Sequence, residues 1–123
     1  MKLQAAKTEG QNIFTAYGDG YVSINAVRHH GNLIILPDRL IADWTQAGFA
    51  TLGLADFQLL ATLPTEIILL GTGKQPRFPH PELLQPLIQV QKGLEVMSVD
   101  AACRTYNLLI SEGRQVAAAL ILS

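Results

Sequence analysis

Val116-Ala117-Ala118-Ala119-Leu120-Ile121-Leu122 decides how the rest of this chain is read. The seven residues are apolar without a break. A strand with one wet face alternates apolar and polar residues, so an unbroken run predicts a strand covered on both faces. It is far too short to cross a bilayer as a helix, which takes about 20 residues. Such a strand belongs at the centre of a sheet, with further structure layered on each side.

Reading outward, Gly113 suits the left-handed C′ position of a helix that ends just before it. In that helix Val99, Ala102, Cys103, Tyr106, Leu109 and Ile110 recur at helical spacing and form an apolar stripe. Ser98 is a good N-cap, and Asp100 falls in the positive first turn. Leu94 to Met97 is the strand before it. Gly93 closes a further helix expected over Glu82 to Lys92, which Pro86 either starts or kinks. Glu66 to Leu70 is a buried strand running into Gly71-Thr72-Gly73, and Asp56 to Leu63 is a short helix stopped by Pro64. Strand, helix, strand, helix, strand means an α/β domain with helices packed on a mixed sheet.

The first third has a different rhythm. Ile13 to Tyr17 and Tyr21 to Ile24 are β-prone runs flanking Gly18-Asp19-Gly20, the signature of a hairpin. His30-Gly31-Asn32 separates Ala26–His29 from Leu33–Leu36, which Pro37 ends. This N-terminal region is therefore expected to be antiparallel β. Asp38 to Leu54 carries no clear period, with Trp44 and Phe49 expected to cover a sheet edge.

Composition sets the outer bounds. A chain of 123 residues is one domain, and 49% hydrophobic against 15% charged residues excludes a disordered tail. Nine Lys+Arg balance ten Asp+Glu, so no phosphate-backbone footprint and no nucleic-acid partner are expected. Met1 to Glu9 shows neither the apolar core of a signal peptide nor an Arg-rich presequence. The lone Cys103 cannot form an internal disulfide, and a reducing, cytoplasmic location is expected. No membrane span is expected, and the apolar fraction leaves room for a homo-oligomer.

Three groups of residues invite a chemical reading, each beside a plainer one. Gly71-Thr72-Gly73-Lys74 follows a buried strand, where open α/β sheets place ligands, and Lys74, Arg77 and His80 would neutralise an anion there. It lacks the spacing of a P-loop, and a tight turn is the plainer reading. Asp100, Arg104, Asn107 and Ser111 align on one helix face, either a solvated face or a partner-binding one. In Glu112-Gly113-Arg114, the Arg either caps helix carbonyls or binds a carboxylate. His29 and His30 are adjacent and point to opposite faces of a strand, so no metal site is expected of them. Cys103 lies on the apolar stripe and reads as an inert buried thiol. No catalytic constellation is legible.

One resemblance adds to this. Ile67-Ile68-Leu69-Leu70-Gly71-Thr72-Gly73, Met97 with the helix start, and Ala102 through Leu122 occur in the order of a known pattern. The specific part is Thr105-Tyr106-Asn107-Leu108-Leu109-Ile110-Ser111-Glu112-Gly113-Arg114-Gln115-Val116 and the alanines after it. The chain resembles a family of small α/β domains of unknown function that includes a mitochondrial respiratory complex I assembly factor and an adipogenesis-associated protein. Ser98 stands where the pattern usually has Thr; both can cap. The resemblance implies a three-layer α/β fold whose central mixed sheet has its last strand antiparallel to the others. It implies no enzyme activity and no cofactor. Carried over as signature residues are Gly71, Thr72, Gly73, Tyr106, Asn107, Glu112, Gly113 and Arg114, expected with Arg104 to share one surface or pocket.

Two functions follow as expectations. The first is a non-enzymatic accessory or assembly-type module that binds another protein. The alternative is a binder of an anionic small molecule, or an enzyme, using the Gly71–Gly73 loop.

Overall fold

Residues 10–122 are described by the computed structural model, so the reading of Met1 to Glu9 lies outside them. Three strands, β1 (Phe14–Gly18), β2 (Tyr21–Ile24) and β3 (Val27–His29), form an antiparallel sheet in that order. The β1–β2 hairpin turns at Asp19-Gly20, within the glycine triplet, as its composition predicts. The β2–β3 hairpin turns through Asn25-Ala26, both in the left-handed region at φ 49° and 68°. Two positive φ values suit the twist of the flanking strands, although the second position usually falls to Gly.

The chain then crosses to a second, five-stranded sheet. Its strands β4 (Leu33–Leu36), β5 (Arg39–Ala42), β6 (Ile67–Thr72), β7 (Gly93–Met97) and β8 (Val116–Ile121) stand in the order β5-β4-β8-β6-β7. Strand β8 is therefore central, as its unbroken apolar run requires. It alternates between two cores: Val116, Ala118 and Leu120 enter one cluster, and Ala117, Ala119 and Ile121 enter the other. All six are fully buried.

The orientation of β8 corrects one expectation. It runs parallel to β6 and antiparallel only to β4. The odd strand is β4, which opposes both its neighbours. The cause is connectivity. The helix α3 (Val99–Ser111) carries the chain from the end of β7 back to the start of β8, and such crossovers join parallel strands.

Helix α1 (Leu54–Ala61) and helix α2 (Gln85–Gln89) cover one face of this sheet. Helix α3 and the three-stranded sheet cover the other. The result is three layers. In the second helical region Pro86 has no N–H to give, so one helix over Glu82–Lys92 is not formed. A 3-10 turn over Pro81–Leu84 comes first, and α2 starts anew with Pro86 in its first turn. Helix α1 begins two residues earlier than its apolar period suggests, where the Asp56 carboxylate accepts the Gly53 N–H at 2.9 Å. Strand β5 lies inside the segment that carries no clear period. It forms a hairpin with β4 around Pro37-Asp38, and its exposed edge position explains its weak pattern. Trp44 is buried beside the sheet, and its indole N–H donates to the Leu120 carbonyl at 3.1 Å.

Candidate functional site

Strand β6 ends in Gly71 and Thr72, both buried, and neither is free to cradle a ligand. A Cβ on Gly71 would lie 2.8 Å from Leu120 Cδ2 and 3.2 Å from the Val99 Cα. Its missing side chain lets α3 pack directly on β6 and β8. The Thr72 hydroxyl donates to the Gln75 carbonyl at 2.7 Å and accepts the Arg77 N–H at 2.8 Å. The Thr72 carbonyl takes two bonds from the Arg77 guanidinium, at 3.2 and 2.9 Å. Arg77 also lies over the Phe49 ring, 4.7 Å from its centroid. The loop after β6 is thus closed on itself by its own side chains.

Gly73 differs. At φ 88° it makes the turn that the glycine composition suggests, and its carbonyl accepts the Val99 N–H at 2.8 Å. That bond fixes the start of α3 beside the loop, where Ser98 Oγ caps the Ala101 N–H at 3.2 Å. Between this corner and the tip of the β1–β2 hairpin lies a cleft of about 710 Å³. One wall is Tyr17, Gly18, Asp19, Gly20 and Tyr21; the other is Gly73, Lys74, Arg77, Val99, Asp100 and Leu122. Lys74 reaches across to Asp19 at 3.1 Å, with both side chains more than four-fifths exposed. The cleft opens beyond the carboxyl ends of the parallel strands, the side on which open α/β sheets bind ligands.

In the middle of α3, Tyr106 and Asn107 face protein, while Arg104 and Leu108 are exposed. Asn107 pairs with the backbone of Phe14 like a neighbouring strand: Oδ1 accepts its N–H at 2.9 Å, and Nδ2 donates to its carbonyl at 2.7 Å. Arg104 donates to the Tyr17 hydroxyl at 2.8 Å. Buried Tyr106 donates to the Asn12 carbonyl at 2.9 Å, and its ring meets Phe14 edge-on. Burial, with help from Asp38, raises the Tyr106 pKa above the usual phenol range. These three side chains fasten the N-terminal sheet to the helix. Neither reading of the polar face, solvated or partner-binding, describes what Asn107 does. Cys103 is buried in the same layer, and desolvation, then Asp100, push its thiol up to about 12 against a weaker opposing pull from Arg104.

Glu112-Gly113-Arg114 is the turn at the far end of α3. Gly113 adopts φ 77°, and the N–H groups of Gly113 and Arg114 close the helix on the carbonyls of Ile110 and Leu109. All three residues are exposed. A 13-residue helix, about 20 Å long, separates them from Gly73. The structure therefore does not gather the signature residues into one pocket. It brings Gly73 to the cleft, Tyr106 and Asn107 to a seam with the N-terminal sheet and the exposed Arg104 to its edge, and Arg114 to a remote turn. The hairpin tip at Asp19 and Tyr21 was readable only as a turn, because the Gly73–Arg77 loop across the cleft lies more than 50 residues away.

Comparison with known proteins fits this architecture. The family model described as "Protein of unknown function (DUF498/DUF598)" matches residues 14–121. A "13 kDa major membrane protein" from Francisella tularensis is 28% identical over 122 residues, covering 98% of this chain and 99% of that protein. Mouse "NADH dehydrogenase [ubiquinone] 1 alpha subcomplex assembly factor 3" is 33% identical over 111 residues, covering 85% of this chain. The match spans 60% of that assembly factor's own length. A crystal structure from Bordetella parapertussis superposes with a TM-score of 0.84 at 36% identity, covering 94% of this chain and 98% of the other. With the family pattern running from β1 to the last residue of β8, this chain belongs to the DUF498/DUF598 family of proteins of unknown function.

Proposed function

We propose that this domain is a non-enzymatic accessory module that binds another protein during the assembly of a larger complex. The observation that carries the reading is the 33% identity to a complex I assembly factor over 85% of this chain. The distribution of exposed apolar side chains supports it. Leu54, Phe78, Ile88 and Val90 are 47%, 75%, 59% and 50% exposed, and all four belong to the segments around α1 and α2. Among the described residues Val27, Leu40 and Leu108 are exposed elsewhere, so this layer carries four of the seven exposed large apolar side chains, the kind of surface a protein interface leaves on an isolated domain. A cytoplasmic location goes with this reading. Among the described residues no helix is long and apolar enough to cross a membrane.

The test is affinity capture from the native lysate with wild-type bait and a Phe78→Ser, Ile88→Ser bait. Both residues are exposed, so the variant is expected to fold. The reading expects a reproducible partner that the variant loses. Capture of the same partner at the same yield by both baits would move the surface elsewhere, and capture of none would remove the reading.

A second reading, a small-molecule site, rests on the 710 Å³ cleft beside Gly73. That volume lies within the usual range for ligand pockets.

A further inference from the structure

We propose that the cleft between the β1–β2 hairpin tip and the start of α3 binds a small amphipathic monocarboxylate. The inference rests on the second reading above, that the cleft is a ligand site, and adds the class of ligand. The argument starts from the walls. Tyr17, Tyr21, Val99 and Leu122 line the cleft with apolar edges for a hydrocarbon body, while the Arg28 guanidinium lies 3.9 Å over the Tyr21 ring and Arg104 beside Tyr17. Gly20 and Gly73 carry no side chain, so a ligand can approach the backbone there, whereas the Tyr21 ring fills the space beside Gly18.

Charge then selects the head group. Two cations, Lys74 and Arg77, come from the single loop that follows β6, with the positive end of α3 beside them. Arg77 already spends its Nε and Nη2 donors on the Thr72 carbonyl. Among the described residues Lys74 is held by Asp19 alone, across the mouth of the cleft, and both side chains are largely exposed. Exposed pairs of this kind contribute little, so a ligand carboxylate can take Asp19's place on Lys74 at small cost. The acidic groups of the cleft, Asp19 and Asp100, sit on two different walls. They balance Lys74 and Arg77 in the lining, which leaves no surplus of positive charge to hold a doubly charged phosphate. Lys74 is thus both the contact across the mouth of the cleft and the head-group ligand of a bound carboxylate.

The experiment is an NMR titration of the full chain with 4-phenylbutyrate, 4-phenylbutanamide and 4-phenylbutylamine as separate probes. The expected result is saturable shifts at Gly18 to Tyr21 and at Gly73 to Arg77, with the carboxylate binding most tightly. Lys74→Gln should weaken the carboxylate about tenfold, the loss of one charge-assisted hydrogen bond, and leave the amide unchanged. Asp19→Asn should tighten the carboxylate, because the competitor for Lys74 is gone. Both side chains are exposed, so neither variant threatens the fold. Equal binding of amide and carboxylate, insensitive to Lys74→Gln, would overturn the ligand class while keeping the cleft as a site. Preference for the amine would overturn it in the same way. Absence of saturable shifts with all three probes would overturn both the class and the cleft.

Discussion

The two faces of the five-stranded sheet are covered by opposite strategies. On one, a single helix of 13 residues with a side-chain cap packs through Val99, Ala102, Cys103, Tyr106 and Ile110. Asn107, Tyr106 and Arg104 then tie it to the N-terminal sheet by hydrogen bonds that span at least 87 residues of sequence. On the other face, helices of eight and five residues alternate with 3-10 turns. Helices that short have little stability of their own and depend on packing. That layer also keeps Phe78, Ile88 and Val90 in water. The first layer is tied together by side-chain hydrogen bonds and leaves Val27 and Leu108 exposed; the second is built of shorter helices and leaves four large apolar side chains exposed. A partner has more to gain on the second, where exposed apolar area remains to be covered.

Four changes would break or sharpen that contrast. The largest effect is expected from Leu120→Asp, which puts an unpaired charge in the wholly buried central strand. The variant should not fold, and circular dichroism with a cooperative melt would show otherwise. Next is Asn107→Ala, which orphans the N–H and carbonyl of Phe14 at the seam. At about 1–3 kcal/mol for each unsatisfied group, denaturant unfolding should report a loss of roughly 2–6 kcal/mol.

The third tests the dry interior of the first layer through Cys103. Its thiol goes from 9.0 to about 12 in the folded chain, so the native state holds the proton more tightly than the unfolded one. Stability is therefore complete below pH 9 and falls as pH rises toward 12, by about 1 kcal/mol per unit once the unfolded thiol is ionised. Cys103→Ala should remove that part of the decline; an unchanged slope between pH 9 and 11 would mean the layer is wet. The smallest effect lies outside both faces, at Ala26. Its φ of 68° is a left-handed conformation that an L side chain resists, so Ala26→Gly should raise stability by about 1 kcal/mol. A lower midpoint would show that the turn is held by something other than backbone geometry.

These contrasts also mark what could be read from the sequence. Strand β8, α3 and the first hairpin were legible because burial on both faces, a 3.6-residue period and a glycine turn leave local signatures. The antiparallel partner within the large sheet was not, since direction follows from how the β7–α3–β8 crossover returns the chain. Strand β5 is a short exposed edge of Arg39-Leu40-Ile41-Ala42, which neither alternates cleanly nor fills a core. The polar face of α3 was visible as a face, and Asp100, Arg104 and Ser111 are exposed on it; Asn107 instead meets a strand 93 residues away, which spacing alone could not show. The cleft was half visible. Gly73 marked one wall, while the Asp19–Lys74 contact that crosses it joins segments with no local relation.

Native-state hydrogen exchange, followed residue by residue, tests the unequal coverage of the two faces most directly. Amides of β8 and α3 should exchange only through global unfolding, while those of α1 and α2 open at lower free energy and respond first to low denaturant. If α1 and α2 prove as protected as α3, the two faces are equally well held and the case for an adaptable binding layer is lost.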